Sequence, residues 1–274
     1  MNILYSGDEN IIDGLLISIL SLLKNTDRVL NIYVLTMKYE TEEKSYNAMP
    51  ESYIKYLDKL IKKKNKKNFI ELHDITKEVN KYMPTANVNT RFTPYCMLRL
   101  YADLLDFMPE KILYLDNDIV FLKNPDELYD LDIDKYQLAG VLDYYGSKVL
   151  RRGIKKDYLN SGVLLLNMSR IKKSKLFEKA RKMCKYLKML MPDQTALNHY
   201  CRKRKIIDRK YNEQHEIKDD TVIRHFTTTF KVWPEIKTQT IKPWNIEELH
   251  NTLKCHEFDD VLDDYKKIIK DIKK

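Results

Sequence analysis

The chain has few means of holding itself together covalently. Its four cysteines, Cys96, Cys184, Cys201 and Cys255, are scattered and form no C-x-x-C pair. That usage argues against a disulfide framework or a zinc site and suits reduced thiols in a cytosol. Long apolar runs are also missing. The longest candidate, Ile11 to Leu23, is interrupted by Asp13 and falls short of the ~20 residues a bilayer-spanning helix needs. The opening MNILYSGDEN has no basic segment followed by an apolar one, so no secretory signal is expected. No internal repeat, low-complexity tract or interdomain linker stands out. Together these absences predict a cytoplasmic globular protein.

What the sequence does have is charge and enough apolar residues for a core. Hydrophobic residues make up 43% and charged residues 32% of 274, ordinary for a soluble domain large enough to bury a sizeable interior. The formal charge of +9 favours anionic partners: nucleotides, nucleic acid or an acidic membrane surface. Lysine is abundant everywhere, however, and runs such as Lys62 to Lys67 read as solvated helix ends. Nucleic acid is therefore not an expected partner.

The most informative stretch is KILYLDNDIVFLKN, residues 111 to 124. Ile112 to Leu115 read as a buried strand, short and apolar. Side chains alternate along an extended chain, so Asp116 and Asp118 project together while Asn117 projects the other way. Open α/β sheets bind ligands at strand carboxyl ends. Two carboxylates converging there repel unless a cation or a shared proton relieves them. A hard divalent ion with a phosphate-bearing ligand is the natural guest. The alternative is a turn whose aspartates cap a helix near Pro125.

Around this stretch, strands are expected at 2–6, 30–36 and 68–73, with helices at 11–23 and 41–64. That β-α-β-α-β order argues for a parallel, doubly wound sheet. Asp8 and Asn10 lie at the first strand end, placed either to meet a base or ribose or to cap the helix. Residues 82–93 read as an ordered loop, PYCMLRLYADLL from Pro94 as a helix containing Arg99, and 137–142 as a strand ending at Asp143. A basic loop over 144–156 precedes YLNSGVLLLN, a buried strand whose entrance carries Asn160, Ser161 and Gly162. Helices fill 170–190, and Pro192-Asp193-Gln194 opens another. Residues 221–226 form a late strand near His225. The tail places Val261, Leu262, Tyr265, Ile268, Ile269 and Ile272 on one helical face and lysines opposite. Docking on the domain or lying on a membrane surface would both use such a stripe. The expected organisation is one α/β domain over 1–255 and a basic amphipathic helix over 256–274.

Taken in order, these segments resemble family 8 of the glycosyltransferases. These are retaining, metal-dependent GT-A enzymes and include bacterial lipopolysaccharide galactosyl- and glucosyltransferases and glycogenin. The matching pieces are Asp8-Glu9-Asn10, Tyr95-x-x-x-Arg99-Leu100, LYLDND, LNSGVLLLN, Asp193-Gln194, His225-Phe226 and Lys242-Pro243-Trp244. The resemblance implies a Rossmann-like GT-A fold, mostly parallel, with a helical C-terminal tail. It implies transfer of galactose or glucose from a UDP-sugar to a glycan or glycolipid. Asp116, Asp118 and His225 would bind the metal, Mn²⁺ ahead of Mg²⁺ because imidazole joins the carboxylates. Asp8, Asn10, Arg99, Asn117, Asp143 and Lys242 would hold the nucleotide-sugar, with Lys242 on the β-phosphate. Asn160, Asp193 and Gln194 would line the hexose. An amide is a poor nucleophile, so Gln194 fits stabilisation of an oxocarbenium-like centre in a front-face reaction better than double displacement. The tail helix would be the site of any peripheral contact with the inner membrane face.

One segment departs from the family pattern. TTTFKVWPEIKTQT, containing Trp233 and Pro234 but no glycine, separates His225-Phe226 from Ile241-Lys242, so the loop before Lys242 must be built differently. Two other readings compete. Asp116-x-Asp118 also resembles the first motif of haloacid-dehalogenase-type phosphatases, with Asp116 as nucleophile. A basic, non-catalytic nucleotide- or membrane-binding module would need neither aspartate.

Overall fold

The computed structural model describes residues 1–40, 45–88, 94–144, 157–231 and 237–273. Seven strands form the main sheet: β1 (Asn2–Ser6), β2 (Asn31–Thr36), β3 (Phe69–Asp74), β4 (Lys111–Leu115), β6 (Leu138–Leu142), β7 (Leu159–Asn167) and β8 (Arg204–Ile206). Their order is β8-β6-β7-β4-β1-β2-β3. All neighbours are parallel except β7, which is antiparallel to both β4 and β6. This is the mostly parallel α/β sheet expected from the strand–helix alternation.

The strands are apolar because both faces are covered. Along β1, Ile3 and Tyr5 enter one core while Leu4 enters the other. The first core packs against α1 (Ile12–Asn25) and α2 (Glu51–Lys64). The second packs against a 3₁₀ helix (Pro94–Leu104), α5 (Met168–Ser174), α6 (Leu176–Tyr186) and α7 (Pro192–Tyr200). Short helices α3 (Thr76–Lys81) and α4 (Asp126–Asp130) connect strands.

Several boundaries differ from expectation. The helix expected over 41–64 begins at Glu51, because Pro50 takes an extended conformation and stops the chain from joining an earlier turn. Residues 41–44 lie outside the described residues, and a two-residue hairpin flanks them. The PYCMLRLYADL segment winds as 3₁₀ rather than α. Ile119–Phe121 forms a separate strand, β5, paired antiparallel with β9 (Ile223–His225). Of the loop expected over 144–156, residues 145–156 lie outside the described residues, as do 89–93, Trp233 and Pro234.

The tail forms α8 (Asp259–Ile272) and buries Val261, Leu262, Tyr265 and Ile272 in the same core as α1. Tyr265 donates to Asp13 Oδ1 at 2.6 Å, Lys273 pairs with Asp13 at 2.8 Å, and Lys24 with Asp260 at 2.9 Å. Its apolar stripe therefore faces the protein. Among the described residues no helix is long and apolar enough to cross a membrane, and all four cysteines are free.

Candidate active site

The direction of β7 assembles the site. Because it runs against β4 and β6, its first residues lie beside their last ones. Leu115 faces Val163, Asp116 N donates to Gly162 O at 2.8 Å, and Asp143 N donates to Tyr158 O at 2.9 Å. Asn160, Ser161 and Gly162 thereby meet Asp116 on one side and Asp143 on the other. The short β5–β9 pairing adds the distant partner by setting His225 opposite Ile119, one residue beyond Asp118.

Asp116, Asp118 and His225 come together, each offering one ligand atom within 4.8 Å of the others. His225 Nε2 is 3.1 Å from Asp118 Oδ1 and 3.7 Å from Asp116 Oδ2. The ring's protonation follows from a relay of amides. Asn160 Nδ2 donates to Asp143 Oδ2 at 3.0 Å, and Gly162 N donates to Asn160 Oδ1 at 2.9 Å, which fixes that amide. Asn212 Nδ2 donates to the same Oδ1 at 2.9 Å, leaving Asn212 Oδ1 to face His225 Nδ1 at 3.0 Å. The network assigns the ring proton to Nδ1 and turns the lone pair of Nε2 toward two carboxylates. Asp118 Oδ1 is buried with no aligned hydrogen-bond donor, despite its short distance to the imidazole. Three electron-pair donors facing one another need a cation between them, and this set fits a divalent metal.

The glycine of LNSGV is what makes room. A Cβ on Gly162 would stand 2.1 Å from His225 Cε1 and 2.8 Å from Asp116 Oδ2. At Gly14 of α1, a Cβ would stand 2.2 Å from the Asn117 carbonyl oxygen and 2.6 Å from the Trp244 ring. A bare backbone there lets α1, the D-x-D turn and the segment after Lys242 close together.

Arg99 serves the protein's own groups. Its guanidinium is buried over the Tyr114 ring, 3.8 Å from the centroid, and donates to Asp116 Oδ1 at 2.7 Å, Cys96 O at 2.9 Å and the Ser161 carbonyl. It also pairs with Asp193 Oδ2 at 3.3 Å. Arg99 is a brace between two site carboxylates rather than an open contact for a phosphate. Asp103, one turn along from Arg99, pairs with Arg181. Asp116 Oδ1 also accepts from the Tyr114 hydroxyl at 2.8 Å, so only its Oδ2 faces the cation position.

Asp193 and Gln194 stand at the first turn of α7, where Pro192 starts the helix. Ser161 Oγ donates to Asp193 Oδ2 at 3.2 Å, while Ser161 N donates to Gln194 Oε1 at 2.9 Å. Gln194 Nε2 in turn donates to Asp143 Oδ2 at 3.2 Å. Burial raises the Asp193 pKa, only partly offset by the charge of Arg99. Asn160, Asp143, Asp193 and Gln194 thus form one hydrogen-bonded wall beside the three candidate ligands.

Lys242 and the first strand end make their contacts within the protein, Asp8 as the helix cap that was one of its two expected uses. The Lys242 ammonium is bonded to Asp118 Oδ2 and to Phe226 O at 2.9 Å, which anchors it on the carboxylate. Burial pushes the Asp118 pKa up, but the opposing charge of the Lys242 ammonium prevails and holds the carboxyl well below its ordinary value. Asp8 caps the 3₁₀ turn Glu9–Ile11, accepting from Asn10 N at 3.1 Å and Asn10 Nδ2 at 2.9 Å. Asn117 offers its backbone to α1 at Gly14. Sequence reasoning missed Asn212 and the Tyr114 hydroxyl. Asn212 sits in an aperiodic KYNEQHE segment that gives no signal. Tyr114 is concealed by serving also as a strand residue.

The comparisons with known proteins identify the family and the fold. A Haemophilus influenzae protein with a provisional glycosyltransferase name is 30% identical over 224 residues, covering 77% of this chain and 63% of that one. An Escherichia coli lipopolysaccharide 1,2-glucosyltransferase is 28% identical, over 93% of this chain and 83% of its own. A Salmonella typhimurium lipopolysaccharide 1,3-galactosyltransferase is 25% identical, over 93% and 82%. Among solved structures, an active-site mutant of LgtC superposes with a TM-score of 0.71 at 16% identity, over 96% of both chains. The fold is therefore GT-A. A family model described as glycosyl transferase family 8 matches residues 2–237, a span that includes every candidate ligand and the whole hydrogen-bonded wall beside them, and the chain belongs to that family of enzymes.

Proposed function

We propose that this glycosyltransferase moves a hexose, galactose or glucose, from a UDP-sugar to a glycan or glycolipid acceptor with retention of anomeric configuration. The observation that carries the reading is the convergence of Asp116, Asp118 and His225 at the β4 exit with Asp118 Oδ1 left without a donor. These three residues would hold Mn²⁺, with Mg²⁺ second because of the imidazole ligand. Such a cation neutralises the charge that grows on the departing diphosphate. Asp8, Asn10 and Asn117 lie at the exits of β1 and β4, where the nucleotide would rest. Lys242 would leave Asp118 to reach the β-phosphate, and Asp118 would then be balanced by the cation it holds with Asp116 and His225.

The wall of Asn160, Asp143, Asp193 and Gln194 would receive the hexose. Gln194 is held by Ser161 and Asp143 at both ends of its amide, so it is oriented as a dipole. That supports a front-face reaction in which the leaving phosphate assists the incoming hydroxyl. The names of two relatives support a lipopolysaccharide-type acceptor. We assign the protein to the cytoplasm. Any contact with an acidic inner membrane face would be electrostatic and fall to Lys266, Lys267 and Lys270, which are exposed on α8. The phosphatase alternative is disfavoured because Asp116 Oδ1 is committed to Arg99 and Tyr114.

The test is Mn²⁺-dependent release of UDP from UDP-galactose or UDP-glucose, slow until an acceptor is added. Asp118→Ala is expected to abolish release while the metal-free protein remains folded by circular dichroism. Hydrolysis of phosphate monoesters with no turnover of any nucleotide-sugar would reverse the assignment.

A further inference from the structure

A second cluster of metal-binding groups lies at the end of the segment that begins with Lys242. The chain leaves Lys242, makes a short helical turn, and enters one π-helical turn, Leu249–Leu253, anchored by the fully buried Leu249. Lys254 then adopts a left-handed conformation, φ 53°, and reverses the chain. Left-handed backbone is costly for a side chain with a Cβ and persists where surrounding structure demands it. The reversal stacks His256 on His250, ring centroids 4.3 Å apart and planes 26° from parallel. Asp259, opening α8, places Oδ1 2.7 Å from His250 Nε2 and Oδ2 2.9 Å from His256 Nδ1. One ligand atom from each of the three lies within 4.8 Å of the others. The cluster reaches solvent, with His256 59% and Asp259 43% exposed.

We propose that His250, His256 and Asp259 form a binding site for Zn²⁺ or a similar borderline transition-metal dication, separate from the D-x-D centre. Two imidazoles and one carboxylate are the donor set of open zinc sites, with water completing the tetrahedron. Bonds of about 2.0 Å to a tetrahedral ion place neighbouring ligand atoms about 3.3 Å apart, so the three donors, already within 4.8 Å of one another, close on the ion by side-chain rotation. A metal takes each imidazole in the tautomer whose N–H lies on the other ring nitrogen, Nδ1 of His250 and Nε2 of His256. The neighbouring acids are already engaged: Glu257 accepts from His256 N at 2.8 Å, and Asp260 pairs with Lys24. Two imidazoles also discriminate against Mg²⁺ and Ca²⁺, which prefer oxygen. A bound ion would fasten the π turn to α8 and fix the far end of the segment that carries Lys242.

Zn²⁺ alone is titrated into the metal-free protein by calorimetry, with hydrogen exchange followed in parallel. Wild type is expected to take up one more equivalent than His250→Gln/His256→Gln, and to exchange more slowly over 259–272 when Zn²⁺ is present. Asp259→Asn keeps the size of the side chain but removes the charge, and is expected to weaken that equivalent at least tenfold. Circular dichroism checks folding; if the double variant is unfolded, Asp259→Asn and His250→Gln alone provide the comparison. Equal stoichiometry and affinity in wild type and variants would overturn the site. An extra equivalent without slowed exchange would overturn the clip.

Discussion

His225 is useful as a ligand only if its ring is presented in the right tautomer, and that depends on Asn212. The amide accepts from Nδ1 and is itself oriented through Asn160 by the Asp143 carboxylate and the Gly162 N–H. Asn212→Leu removes the acceptor while keeping the volume, so Nε2 is no longer held as the free lone pair. Loss of such an orienting partner typically costs about 10–100-fold in metal affinity, and calorimetric titration with Mn²⁺ is expected to read that drop. Lys242 makes a second residue-scale prediction. In the metal-free protein, Lys242→Met leaves Asp118 buried with less compensation, expected to cost about 1–3 kcal/mol at neutral pH given that the lysine is partly exposed. The depressed pKa of Asp118 means its contribution is full above the ordinary carboxylate value and is lost as pH falls below about 4. Urea denaturation of the two proteins should therefore differ at pH 7 and converge at low pH. The ligand trio was legible because D-x-D on a strand has a fixed geometry and its histidine lay in a matched segment. Asn212 and the bracing use of Arg99 were not, since both depend on contacts between segments far apart in the chain.

At the scale of elements, the decisive feature is one reversed strand. Apolar content marks 159–167 as buried, but nothing in a hydrophobic run says which way it travels. Only its pairing with β4 and β6 shows that the Asn-Ser-Gly entrance meets two strand exits. The helix over 94–104 was legible in place but not in its 3₁₀ winding. The tail was legible as an amphipathic stripe without its partner. That partner is α1, and the stripe fills the first core. Leu262, 1% exposed within that core, tests the point: Leu262→Ala is expected to destabilise the protein by about 2–5 kcal/mol. A tail that merely lay on a surface would show almost no change in urea midpoint.

The candidate site draws on residues from Asp8 to Lys242, so at the scale of the molecule its ligands link most of the chain. The candidate metal trio alone ties the central strand β4 to β9, and the wall joins β6, β7 and α7. α1 lies against the D-x-D turn at Gly14 and, on its other side, against Tyr265 and Lys273 of the tail. A ligand that binds only this folded arrangement must therefore stabilise the whole unit rather than one lobe. By mass action, Mn²⁺ with UDP at about 100 times its dissociation constant adds about 2.7 kcal/mol. At about 2–4 °C per kcal/mol for chains approaching this size, the midpoint should rise by several degrees in a single transition. In Asp118→Ala the shift should vanish. A transition that split on adding ligand, with the tail melting at its ligand-free temperature, would show that α8 is not coupled to the site through α1.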